Sequence, residues 1–213
     1  RVLVLAFHGI LGDSFCSVLQ HYTPVRSAPA AFTARPPVSY QSAKSGSPPA
    51  SSKRNIAGSG CILLRMPVRD IIVIGGSAGG FEAIQVLVSA LPADLRAAIF
   101  LTLHQFPRAK GVLPDILNRA GRIPALHAED GMPIDHGRIY VAPPDYHLVL
   151  QNGFMQLSHG PRENLFRPCI NVMVRSAATA YGERVAGVLL TGLLDDGAAG
   201  LWEIQQHHGA TIV

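Results

Sequence analysis

From residue 70 onward the chain alternates short apolar runs with stretches whose apolar residues recur at helical spacing, and no other feature restricts its fold as strongly. The runs at 70–75, 97–103, 139–142, 185–190 and 210–213 are nearly continuous in Ile, Val, Leu and Ala. Strands with one wet face would alternate apolar and polar residues, so these runs read as strands covered on both faces. Between them, Phe81, Ile84, Leu87, Val88 and Leu91 fall on one helical face, as do Leu113, Ile116, Leu117 and Ala120. Ile170, Met173, Val174, Ala177 and Tyr181 make a third face, and Leu201, Ile204 and Gln205 a weaker fourth. The expected class is α/β, a doubly wound, mostly parallel sheet with helices on both faces. Residues 147–150 and 154–157 flank Gln151-Asn152-Gly153, and Asn-Gly readily supplies the positive φ angles of a tight turn. A β-hairpin insertion is therefore expected within the parallel plan.

The alternation occupies only part of the 213 residues. Segment 24–52 is dense in Pro, Ser and Ala and carries no sustained period, so residues 1–65 are expected to be disordered or to lie outside the native protein. Met66-Pro67-Val68-Arg69-Asp70 leads into the first strand as a natural start would, placing the folded domain at 66–213. The last run stops in mid-strand with an apolar edge open, so a truncation at the C-terminus is expected. The apolar run 2–11 contains His8 and Gly9, and no small-residue cleavage site follows closely, which disfavours a signal peptide.

Charge separates the same two parts. Residues 1–65 hold 7 Lys/Arg against Asp13 alone, whereas 66–213 hold 11 Lys/Arg against 13 Asp/Glu. The folded part is thus mildly acidic with no basic stripe, which excludes nucleic acid as a partner despite the overall charge of +4. Cys16, Cys61 and Cys169 are widely spaced and odd in number, fitting a reducing cytoplasm better than a disulfide scaffold. No apolar run approaches the roughly 18 residues needed to span a bilayer, so membrane insertion is not expected.

In open parallel sheets, ligands sit at the carboxyl ends of the strands, which directs attention to three polar residues. Ser77 follows the first strand within Gly75-Gly76-Ser77-Ala78-Gly79-Gly80, where glycines permit a sharp strand-to-helix turn. His104 ends the second strand. Asp196 follows the fourth through Thr191-Gly192-Leu193-Leu194-Asp195. A hydroxyl, an imidazole and a carboxylate on one sheet edge form the arrangement that activates serine for acyl transfer. His104 would take the serine proton, Asp196 would orient the imidazole, and the N–H groups of Ala78, Gly79 and Leu193 would receive the oxyanion.

Each residue also has a plainer reading. Ser77 alone could cap the helix starting near Gly79, Asp196 alone reads as the N-cap of the helix running to Gln206, and His104 alone as a satisfied polar residue at a strand end. A dinucleotide site is the natural rival. Glycines at 75, 76, 79 and 80 do not fit GxGxxG, however, His104 stands where an acidic ribose ligand is expected, and no GK[ST] follows. His8, His21, His127, His136, His147, His159, His207 and His208 show no HExxH or similar spacing, so no metal is expected. Arg162, Arg167 and Arg175 read first as surface or loop-anchoring residues, with binding of an acidic substrate stretch as the alternative, and the sequence does not separate the two.

Five blocks resemble one family in order and spacing: Ile72-Val73-Ile74-Gly75-Gly76-Ser77-Ala78-Gly79-Gly80; Leu103-His104; Gly137-Arg138-Ile139-Tyr140-Val141-Ala142-Pro143; Arg167-Pro168 with Arg175-Ser176-Ala177; and Leu190-Thr191-Gly192 with Asp196-Gly197-Ala198-Ala199-Gly200. Together they resemble the CheB-type protein-glutamate methylesterase domain over nearly all of 69–213. The resemblance implies a catalytic triad of Ser77, His104 and Asp196, needing no cofactor. It implies a cytoplasmic enzyme of chemotaxis adaptation that hydrolyses γ-glutamyl methyl esters on chemoreceptor signalling helices and in many members deamidates receptor glutamine. A chemotaxis methyltransferase or kinase would be a further partner. Family members commonly carry an N-terminal receiver domain. Residues 1–65 lack its acidic cluster and strand–helix pattern, so the chain reads as a stand-alone catalytic domain. Leu193-Leu194-Asp195 replaces the usual Met-Gly-Asn and makes Asp195 a competing carboxylate, Ala78 replaces a frequent Thr, and Asn171 stands where Asp is common. The alternative expectation is a CheB-like regulatory or interaction domain with little esterase activity or a target outside chemotaxis.

Overall fold

The computed structural model of the protein describes residues 68–77, 79–105, 111–191 and 195–213. The expectations for 1–65, and those for Ala78 and Leu193, lie outside the described residues.

Among the described residues, eight strands and four α-helices follow one another as β1 (Ile71–Gly76), α1 (Gly80–Ala90), β2 (Ala98–Leu103), α2 (Leu113–Ala120), β3 (Ala125–His127), β4 (Arg138–Val141), β5 (His147–Gln151), β6 (Phe154–Ser158), α3 (Ile170–Tyr181), β7 (Val185–Leu189), α4 (Ala198–Gln206) and β8 (Ala210–Ile212). Six strands form one sheet in the order β3-β4-β2-β1-β7-β8, every pairing parallel. β5 and β6 form a separate antiparallel pair, in which Gln151 faces Phe154 across the Asn152-Gly153 turn. The hairpin is thus a second small sheet beside the main one. Gly153 takes φ 88°, the conformation for which the Asn-Gly signal was read.

Alternation along each strand sorts its side chains into two apolar clusters, as the pleat requires. Ile72 and Ile74 of β1, Ile99, Leu101 and Leu103 of β2, and Ile139 and Val141 of β4 pack against Ile84, Leu87 and Val88 of α1 and Leu113 and Leu117 of α2. On the other face Ile71, Val73, Phe100 and Tyr140 meet Ile170, Met173, Val174 and Ala177 of α3 and Leu201 and Ile204 of α4. Hairpin residues Leu148, Leu150 and Met155 join this second cluster. Burial on both faces is the physical reason β1 and β2 read as continuous apolar runs: all six residues of each are buried.

Observed strands start or end within one residue of the expected runs, apart from β3, which the sequence reading missed. β3 has three residues at the sheet edge, follows Pro124, and carries too little apolar length to register as a strand. The topology places β1 in the interior, with β2 on one side and β7 on the other. The chain departs from β1 in one direction and later returns on the other side, so the carboxyl end of β1 is the switch point where an open α/β sheet leaves a crevice.

Candidate active site

All three polar residues expected at the sheet edge sit at this switch point. Register pairs Gly76 of β1 with Leu103 of β2, so Ser77 and His104 are the next residues on adjacent strands. The His104 N–H donates to Gly76 O at 3.0 Å and extends the ladder by one rung. From the β7 side, Thr191 receives the Ser77 N–H on both its carbonyl (3.2 Å) and its hydroxyl oxygen (3.1 Å). Ser77 is thereby fixed between the ends of β2 and β7 and is 6% exposed. The preceding turn needs glycine for space: a Cβ on Gly75 would run into the side chain of Ile170, at the start of α3.

The hydroxyl of Ser77 is not a helix cap. The N-cap of α1 is Gly79 and has no side-chain cap bond; the Gly80 N–H closes the turn by donating to Ser77 O at 2.8 Å. The Ser77 hydroxyl makes no hydrogen bond among the described residues, so it is not committed to a structural partner.

His104 meets Asp196 through Nε2, which lies 2.7 Å from Oδ2. The carboxylate fixes the tautomer, because an anionic acceptor at Nε2 requires the proton there and leaves Nδ1 with a lone pair. Nδ1 is buried and has no hydrogen-bond partner among the described residues. On its face the imidazole is covered by Phe166, whose ring centroid is 3.5 Å away with the planes 4° apart.

Asp196 is buried, and protein donors surround its carboxylate in place of water. Besides His104, its Oδ2 accepts the Ile170 N–H (2.8 Å), and its Oδ1 accepts the Asn171 N–H (2.9 Å), the Cys169 thiol (3.0 Å) and the Asn164 amide (3.4 Å). Burial by itself would raise this carboxyl, but the His104 and Cys169 bonds and the Asn171 and Ile170 N–H groups outweigh it and hold Asp196 at about 2. Burial and the adjacent carboxylate push the Cys169 thiol the other way, up to about 12, so it serves as a protonated donor. Cys169 is further held by its own N–H, which donates to His147 Nδ1 at 3.2 Å, while His147 Nε2 donates to Pro161 O at 2.9 Å.

The N-cap expectation for Asp196 is corrected here. Asp196 precedes α4, yet its carboxylate caps α3, taking the first two free N–H groups of that helix. In exchange Asn171, in the first turn of α3, places its Oδ1 on the N–H groups of Gly197 (3.0 Å) and Gly200 (2.8 Å) at the start of α4. The turn before α4 thus caps α3 while α3 caps α4, and the N-terminus of α3 adds its dipole to the field that keeps Asp196 ionised. Gly197 makes the exchange possible with φ 110°, a conformation closed to residues with a side chain. Asp195, the competing carboxylate, is exposed, and Asp196 alone meets His104.

Two arginines act as loop anchors. Arg167 binds Asp145 Oδ1 through Nε (3.0 Å) and Nη2 (2.8 Å) and the carbonyls of His159 (3.2 Å) and Gly160 (2.8 Å) through Nη1. The Arg167 guanidinium, followed by His159, holds the Asp145 carboxyl below the ordinary carboxylate range. Arg175 pairs with Glu163. Between these anchors runs the segment bearing Asn164 and Phe166. Sequence reasoning missed Asn164, Phe166 and Cys169 as parts of the site, nearness to the Arg167-Pro168 block being their one signal, and marked Asn171 only as a departure from a common Asp. No group of three or more His, Cys, Asp or Glu among the described residues is arranged to hold a metal ion.

Chemically, the arrangement offers a proton acceptor at His104 Nδ1, a buried anion behind it, and an uncommitted hydroxyl on the neighbouring strand. The family model described as CheB methylesterase matches residues 72–213. A protein-glutamate methylesterase/protein-glutamine glutaminase of Methanosarcina mazei is 36% identical over 153 residues, 68% of this chain and 42% of that protein. A putative protein of the same description from Leptospira interrogans is 37% identical over 145 residues, covering 68% of this chain and 75% of the relative. The chain thus spans less than half the length of the first relative and three quarters of the second. The crystal structure of the Thermotoga maritima CheB methylesterase catalytic domain superposes with a TM-score of 0.65 at 31% identity, over 68% of this chain and 78% of that one. With its sheet, its strand-end residues and the family match in agreement, the chain belongs to the CheB methylesterase family.

Proposed function

We propose that the chain is a serine hydrolase that removes methyl esters from glutamate side chains of chemoreceptor signalling helices, with Ser77 as nucleophile, His104 as general base and Asp196 as the orienting carboxylate. The observation that carries the reading is the polarity of the imidazole: Nε2 is committed to Asp196 at 2.7 Å, and Nδ1, free of any partner among the described residues, belongs to the strand end beside Ser77. In this mechanism Ser77 Oγ attacks the ester carbonyl while Nδ1 takes its proton. Asp196, held at about 2, stays ionised at every working pH and stabilises the imidazolium. The proposed donors to the oxyanion are the backbone N–H groups of Ala78, Gly79 and Leu193. Collapse returns the proton to methanol as it leaves. Water, deprotonated by the same nitrogen, then frees the glutamate and restores Ser77. A receptor glutamine would pass through the same acyl-enzyme and lose ammonia instead.

The setting is proposed as the cytoplasm, with a chemotaxis methyltransferase or kinase as further partners; no described helix is long and apolar enough to cross a membrane. Residues 66–213 are proposed as the catalytic domain. The test is methanol release from receptor carrying labelled methyl esters. Wild type is expected to release it and Ser77→Ala to fall to background, a loss on the order of 10³-fold or more. Equal release by the two would refute the assignment of Ser77.

A further inference from the structure

The structure assigns Phe166 as a positioning residue for His104: its ring sets the imidazole plane in which Nε2 meets Asp196 and Nδ1 is left open to take the Ser77 proton. The assignment rests on the serine-hydrolase reading above and adds to it what holds the base in register. A single hydrogen bond from Nε2 to Asp196 fixes one point of the imidazole but leaves the ring free to swing about that contact. Before substrate binds, Nδ1 has no partner among the described residues to remove that freedom. A flat contact over the whole face, 3.5 Å between centroids and 4° between planes, does remove it. A planar aromatic face also tolerates the positive charge that the imidazole acquires during catalysis, since the ring's quadrupole presents its negative side.

Phe166 is not simply a piece of core. It belongs to neither of the two apolar clusters that flank the sheet. Its segment is instead tied down on every side of the site. The Phe166 N–H donates to Glu163 O at 2.9 Å, and the Glu163 carboxylate pairs with Arg175 of α3. Asn164 reaches Asp196, and Arg167 is clamped to Asp145 and two carbonyls. Asn164 and Leu165 take φ of 50° and 71°, so the chain reverses tightly: Leu165 is left 76% exposed while Phe166 turns inward onto the imidazole. Asn tolerates positive φ, but Leu rarely adopts it, and the fold holds Leu165 there at the place that presents this ring.

The experiment is inactivation of the full chain by a fluorophosphonate, which forms a bond to an activated serine without needing the receptor, with turnover of p-nitrophenyl acetate in parallel. Wild type is compared with Phe166→Leu, which keeps apolar volume but not a flat face, and Phe166→Tyr, which keeps the face. Phe166→Leu is expected to lower the maximal inactivation rate and kcat by about 10- to 100-fold, the cost of a misplaced catalytic group. The half-saturating reagent concentration and KM should be unchanged, and Phe166→Tyr should recover most of the rate. Thermal unfolding of each variant shows that the comparison is made on folded protein. The assignment is overturned if Phe166→Leu reacts at the wild-type maximal rate, if its loss lies in half-saturation, or if Tyr is no better than Leu. Wild type that is not labelled at Ser77 would instead overturn the serine-hydrolase reading, and the positioning role with it.

Discussion

Replacing Asp196 by Asn probes stability and chemistry through one atom. The carboxylate accepts five donors, from His104, Ile170, Asn171, Cys169 and Asn164. An amide of the same shape must turn its NH₂ toward some of them, setting donor against donor. Held at about 2 against an ordinary 3.8, the carboxyl contributes about 2 kcal/mol at neutral pH. The mis-faced amide adds about 1–3 kcal/mol for groups left unsatisfied. Together they give an expected destabilisation of about 3–5 kcal/mol for Asp196→Asn near pH 7, the range typical of breaking a buried ion pair. The two parts separate by pH. Because the folded value is depressed, the titrating part is fully present well above 3.8, about half gone near pH 3, and lost as pH falls through 2. The amide part does not titrate. Urea unfolding of wild type and variant at a series of pH values should therefore show the gap narrowing by about 1 kcal/mol between neutrality and pH 3. Loss of the carboxylate should also lower turnover on the order of 10³- to 10⁴-fold, as wrong-tautomer variants of other triads do. A gap that stays constant across that pH range would refute the claim that Asp196 is held ionised by its donors.

Two further outcomes follow from the same cluster. Asn171→Ala removes the acceptor for the Gly197 and Gly200 N–H groups and should cost about 1–2 kcal/mol, the usual loss for an N-cap, measured by chemical denaturation. Hydrogen exchange should rise first at the start of α4; equal protection there in both proteins would count against the exchanged caps. The Cys169 thiol, fully buried and pushed up to about 12, should resist maleimide at mildly alkaline pH in the native protein and react once urea unfolds it, read by peptide mass mapping. Native-state labelling of that peptide would show that the thiol is not the protonated donor described.

How much of this was legible in the sequence follows from the range over which each signal acts. Strand and helix positions come from periodicity within a dozen residues, and they appear where the apolar faces place them. β3 escaped because three edge residues after a proline leave no period to read. Ser77, His104 and Asp196 were legible as positions because a general property of parallel sheets, sites at strand ends, converts topology into a short list of residues. What each does was not equally legible. Taken alone, Asp196 read as the cap of the helix that follows it, since a side chain before a helix most often bonds to the next few N–H groups, while its place at the sheet edge made it the partner of His104. The fold takes that carboxylate 25 residues back along the chain, to the start of α3.

That exchange bears on function as much as on stability. A carboxylate spent on its own helix would point along α4 and away from β2. Capping α3 instead turns it toward the end of β2, where His104 stands, and the Asn171 amide supplies the bond that α4 would otherwise lack. Since α3 and α4 pack on the same face of the sheet, the position of the acid is set by helix packing rather than by a mobile loop. The Gly200 position shows how close that packing is, for a Cβ there would stand 2.7 Å from Val174 on α3. The carboxylate proposed to orient His104 and the junction of two core helices are thus one construction. Substitutions loosening the helix junction should lower activity before they unfold the protein, because an acid displaced by even 1 Å no longer holds the imidazole in line.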